Sequence, residues 1–150
     1  MCTALKVANR LLEIADCNGD LITNLKLQKL LYYAQAFYLV NNKGEKLFDD
    51  EIQAWEYGPV VPAVYHEYKK YNSFPINYKH VKDKIFNFSK KQEQYLKDFA
   101  SEYFRYSATE LVTKTHTEQP WKTAISKGKN TVIDTNEMYS FYTDQLKNEQ

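Results

Sequence analysis

A mainly α-helical single domain is the fold class this sequence predicts, and three observations lead there. Apolar residues recur at spacings of three and four along much of the chain, the period of an amphipathic helix. Helix-start residues stand ahead of those runs, at Thr3, Asn24, Ser89, Ser107 and Asp134. Only four Gly and four Pro interrupt the 150 residues, which leaves little room for low-complexity linkers. The expected architecture is six or seven helices over residues 1–150, with a small β element near residues 51–57 and 131–133.

The first helix is expected over residues 4–16, where Leu5, Ala8, Leu12 and Ala15 share a face. Thr3 caps its start, and Gly19 suits the left-handed position that closes it. Asn24 is read as the cap of the second helix. Leu27, Leu30, Leu31, Ala34, Phe37 and Tyr38 give that helix the broadest apolar arc in the chain, so it is placed at the centre. Lys26, Gln28 and Lys29 fall largely off the arc. Tyr32 and Tyr33 are sequence neighbours, which predicts that at least one lies at a rim. Asn41-Asn42-Lys43-Gly44 stops the helix.

The stretch EIQAWEYGPVVPAVYHEY, from Glu51 to Tyr68, reads as a joint. Residues 51–57 suit a short strand, Gly58-Pro59 a corner, and Pro62 the first turn of a helix, where its missing N–H is no loss. Val61, Val64, Tyr65 and Tyr68 then form a helical face that ends near Tyr71. Residues 78–88 alternate poorly and are read as loop, with room for a short strand. SKKQ from Ser89 and SATE from Ser107 are capping boxes, the second opening a short helix to about Lys114. Pro120 starts a helix that Gly128 stops. Thr131-Val132-Ile133 is β-like, and Asp134 opens the last helix, with Met138, Phe141, Tyr142 and Leu146 inward.

Composition narrows the function. Twenty basic and 19 acidic residues give a net charge of +1, which does not predict a nucleic-acid binder. Cys2 and Cys17 have no metal-ligand spacing, and a reduced, cytoplasmic protein is the simple reading. No apolar run approaches a membrane span. His66-Glu67 begins like a zinc-protease motif, but Lys70 stands where the second His belongs. No Gly-x-Ser-x-Gly turn and no glycine-rich phosphate loop is present. No catalytic residue, cofactor or metal is therefore expected.

Two features favour binding. Residues 45–56 hold five acids against Lys46, and residues 79–91 hold five lysines against Asp83, so an acidic and a basic segment could steer a partner or simply be solvated. The chain also carries 13 Tyr, 8 Phe and 2 Trp, the ring types in which binding energy concentrates. Many fall near the 51–68 joint. The candidate partner-binding residues are Lys26, Lys29, Tyr33, Trp55, Tyr57, Tyr65, His66, Glu67 and Lys70.

Three blocks carry a resemblance: LKLQKLLYYAQAFYL, LFDDEIQAWEYGPVVPAVYHEYKKY and PWKTAISKGKNTVI, the last followed by a helix. In this order and spacing the chain resembles the Panacea-domain proteins, or SocA-like antitoxins, which include phage-associated proteins. The likeness runs from Ala4 to Tyr142 and is weakest over 74–115. It implies a role in a bacterial or phage toxin–antitoxin pair, neutralising by direct contact a toxin encoded nearby. It carries no catalytic motif. The matching positions, Lys26 to Gln35 and Trp55, Tyr57, Gly58, Pro59, Val60, Pro62, Tyr65 and His66, are read mostly as fold determinants. A nucleic-acid-binding regulator using the Lys79–Lys91 segment is the alternative, and an enzyme built on His66-Glu67 stands third.

Overall fold

The computed structural model describes residues 2–149 and contains, among them, seven α-helices and three short strands in one compact domain. Helix α1 (Ala4–Asn18) starts where Thr3 Oγ1 accepts from the Lys6 amide and ends at Gly19, whose φ of 76° is the left-handed cap. It buries Val7, Ala8, Leu11 and Leu12.

Helix α2 (Asn24–Asn41) is the centre, and its middle, from Leu27 to Leu39, is buried on nearly every side. Helices α4 (Lys90–Tyr103), α5 (Ala108–Thr117) and α7 (Thr135–Asn148) pack around it with α1. The true cap of α2 is Thr23, which accepts from the Lys26 amide. Asn24, expected to be that cap, instead lies inside the first turn and donates to the Tyr65 carbonyl. A one-residue shift thus frees Asn24 for a tertiary bond.

The expectation that Tyr32 or Tyr33 sits at a rim is wrong: both are fully buried. Their rings meet edge to face at 5.1 Å, and each hydroxyl finds a buried partner. Tyr32 and Tyr142 share a hydrogen bond of 2.9 Å, while Tyr142 and Tyr33 both donate to Glu118 Oε1. Residues from the last third of the chain cover the side of α2 that carries these rings.

The joint is a β-hairpin. Strand β1 (Gln53–Trp55) pairs antiparallel with β2 (Gly58–Val60), with Trp55 opposite Gly58 across the turn residues Glu56 and Tyr57. Strand β3 (Thr131–Val132) adds to the other side of β1. Reading Gly58-Pro59 as a corner alone therefore missed β2, because a proline inside a pairing strand is rare away from an edge. Here β2 is the edge. Its outward groups are taken by two consecutive side chains of α2. Lys29 Nζ donates to the Pro59 carbonyl at 2.8 Å, and Gln28 Oε1 accepts from the Val61 amide at 2.9 Å.

Helix α3 (Pro62–Tyr68) follows, with Pro62 in its first turn, and continues as a 3-10 turn over Lys69–Tyr71. Residues 78–88 hold a second 3-10 turn at Tyr78–His80 and then irregular chain, with no strand. Both expected capping boxes close, at Ser89 with Gln92 and at Ser107 with Glu110. Helix α6 (Gln119–Ser126) carries Pro120 near its start, as expected.

Two substitutions test this frame. Gly58 has a φ of 106°, and a methyl group there would stand 2.8 Å from Lys29 Cε and 2.9 Å from Thr115 Oγ1. Gly58→Ala should therefore lose more than about 1 kcal/mol of stability. Leu31 is fully buried, and Leu31→Ala should lose about 2–5 kcal/mol. Urea denaturation measures both, and wild-type midpoints would contradict the packing described.

Candidate functional site: the hairpin cleft

A cleft of about 490 Å³ opens between the hairpin, the first turns of α2 and the α3 segment. Trp55, Val60, Tyr65 and Leu25 supply its apolar walls. The Trp55 and Tyr65 rings meet edge to face at 4.9 Å, and Tyr65 meets His66 the same way at 5.6 Å. Trp121 fixes the hairpin from behind, donating its indole N–H to the Trp55 carbonyl at 2.9 Å. The Trp121 ring stacks on His116 at 4.0 Å. Leu25 is 40% exposed and Tyr57 64% exposed, so apolar surface stands uncovered at the rim.

The floor of the cleft holds Lys29. It is fully buried, and no carboxylate lies within ion-pair reach of it among the described residues. It donates to the neutral Pro59 carbonyl. Burial pulls its pKa down to about 7. Burial also lowers His116, opposed by its contact with the Glu56 backbone, and His116 Nε2 has no hydrogen-bond partner.

The structure sorts the residues singled out from sequence. Trp55, Tyr57 and Tyr65 line the cleft together. His66, Glu67 and Lys70 are exposed on the α3 segment beside it. Lys29 and Tyr33 are corrections: neither is a surface residue, because the hairpin covers Lys29 and Glu118 with its surroundings covers Tyr33. Lys26 is half-buried and points elsewhere, donating to the Phe104 carbonyl at 2.6 Å. Sequence reasoning missed Leu25 and Lys69 at the rim. A leucine standing off the apolar arc of α2 was the available signal for the first.

The charged segments are exposed. Lys79, Lys82, Lys84, Lys90 and Lys91 all reach the surface, and Lys91 approaches Glu45 at 3.9 Å. Asp50 is the exception on the acidic side, since its Oδ1 accepts from the Ala4 amide at the start of α1. No three His, Cys, Asp or Glu side chains converge as a metal-sized cluster among the described residues. No described helix is long and apolar enough to cross a membrane.

Residues 27–122 match the family described as antitoxin SocA-like, Panacea domain. The chain belongs to that family. The match takes in α2 from Leu27 on, the hairpin, α3, α4, α5 and the start of α6, and so most of the cleft, though not Asn24 and Leu25. Antitoxin SocA of Caulobacter vibrioides (strain NA1000 / CB15N) is similar, 48% identical over 62 residues, which cover 41% of this chain and 32% of that relative. The chain thus spans about a third of that SocA protein's length. No solved structure matches the chain.

Titration of the cleft floor gives a signature in stability. Between pH 7 and 10.5 the unfolded chain holds a Lys29 proton that the folded chain has released, so stability rises with pH across that window. Burial raises Tyr32, Tyr33 and Tyr142, so their contribution is complete below pH 10 and is lost above it. Calorimetry across this range should show a melting midpoint that climbs from neutral pH and then falls in strong alkali. Lys29→Met should remove the climb. A flat wild-type profile from pH 7 to 10 would contradict a depressed Lys29.

Proposed function

We propose that this chain is the antitoxin of a bacterial or phage toxin–antitoxin pair, acting in the cytoplasm on a toxin encoded by a neighbouring gene. It neutralises that toxin by direct protein–protein contact. Family membership over residues 27–122 carries the reading. The similar SocA protein is named an antitoxin. The contact face we assign is the hairpin cleft lined by Trp55, Tyr57 and Tyr65, extended over the exposed His66, Glu67 and Lys70 of the α3 segment. Aromatic rings with half-exposed faces and a polar border suit such a face. Catalysis has no part in this reading.

Co-expression tests it. The neighbouring reading frame should arrest growth alone and lose that effect when this protein is present. A harmless neighbour, or arrest that persists, would end the antitoxin reading. Tyr57→Ala, His66→Ala and Lys70→Ala alter exposed positions. Each should keep the wild-type melting midpoint, within the small range usual for surface changes. Combined, they should weaken neutralisation. Wild-type neutralisation by the triple variant would place the contact on another face.

A further inference from the structure

The chain that borders the hairpin cleft after α3 is strained at one residue. Tyr71 to Phe74 form a tight turn, with the Phe74 amide donating to the Tyr71 carbonyl at 3.0 Å. Asn72 stands at the first central position with φ 54° and ψ −121°. That is type II′ geometry, whose first central position suits glycine. The ψ takes Asn72 out of the left-handed helical well that an asparagine tolerates. A residue with a Cβ persists in such a place only where its surroundings impose it, and residues of this kind gather at ligand clamps.

The fold itself makes no use of this side chain. Asn42 and Asn77 also cap helical turns, and each bonds within its own turn: Asn42 Nδ2 donates to the Tyr38 carbonyl, and Asn77 Oδ1 accepts from the Lys79 amide. The Asn72 side chain is exposed and has no hydrogen-bond partner among the described residues. It lines the cleft, whose walls at Val60 and Tyr65 are apolar. Strand β2 offers no free ladder there: Pro59 has no N–H, its carbonyl is held by Lys29, and the Val61 amide is held by Gln28. A carboxamide carries both a donor and an acceptor, the two groups that a peptide unit needs answered.

We infer that Asn72 is a contact residue for the partner protein, its carboxamide meeting a main-chain peptide group of the toxin in place of the ladder that β2 withholds. The turn holds a strained asparagine because glycine would supply the backbone without the amide. This assignment deepens the antitoxin reading and rests on it.

Two variants of the full chain test it, Asn72→Gly and Asn72→Ala. Each is melted, and each is titrated calorimetrically with the purified product of the neighbouring reading frame. Asn72→Gly should melt about 2–4 °C above wild type, because relief of the turn outweighs the added freedom of the unfolded chain. It should nevertheless bind about tenfold more weakly. A residue with a structural role alone would not combine a gain in stability with a loss of binding. Asn72→Ala keeps a Cβ in the turn and removes the carboxamide, so it should melt no higher than wild type and bind as weakly as Asn72→Gly. Wild-type affinity in Asn72→Gly would overturn the assignment, and so would a melting midpoint that does not rise. Wild-type affinity in Asn72→Ala would overturn it as well, tracing any loss in the glycine variant to a loosened turn. If the wild-type chain does not bind that product, the antitoxin reading falls and takes this assignment with it. If the wild type binds and both variants bind equally well, the Asn72 assignment falls alone.

Discussion

Burial of the middle of α2, from Leu27 to Leu39, is the constraint on which the rest of this molecule depends. A helix so enclosed must bring its own answers for every polar group it meets. Here those answers are side chains of α2 itself, aimed at the backbone of what surrounds it. Gln35 accepts from the Leu47 amide and donates to the Phe48 carbonyl, which fixes the acidic loop. Gln28 and Lys29 fix the hairpin edge, and Asn24 fixes the end of α3. The helix thus serves as a template on which less regular segments are pinned, a role that apolar residues alone could not fill.

That template explains why the cleft stands where it does. Gln28 and Lys29 hold β2 against α2, and Trp121 holds β1 from the opposite side through the Trp55 carbonyl. Pinned twice, the hairpin projects Tyr57 outward while Trp55 closes against Tyr65. The cleft is a by-product of packing.

Local signals in the sequence carried most of the helices. Capping boxes, the left-handed Gly19 and Pro62 in a first turn are decided within a few residues of chain, so they could be read directly. The errors came where distant residues decide. Nothing near Tyr33 announces Glu118, and nothing near Lys29 announces the Pro59 carbonyl. A lysine off the apolar arc reads as solvated until a hairpin is laid across it. The cleft was legible in part for that reason: its rings came from one continuous stretch, while its floor and Leu25 came from another element.

The Tyr32, Tyr33, Tyr142 and Glu118 network has a consequence in time as well as in space. Tyr32 and its partner Tyr142 are 110 positions apart. During synthesis the central helix emerges early, yet the side that faces α7 stays bare until α7 is made. A fragment ending before Tyr142 exposes two tyrosines and the apolar surface around them, the kind of opening on which proteases and chaperones act. Removing α7 therefore uncovers the buried face of the central helix rather than trimming an end.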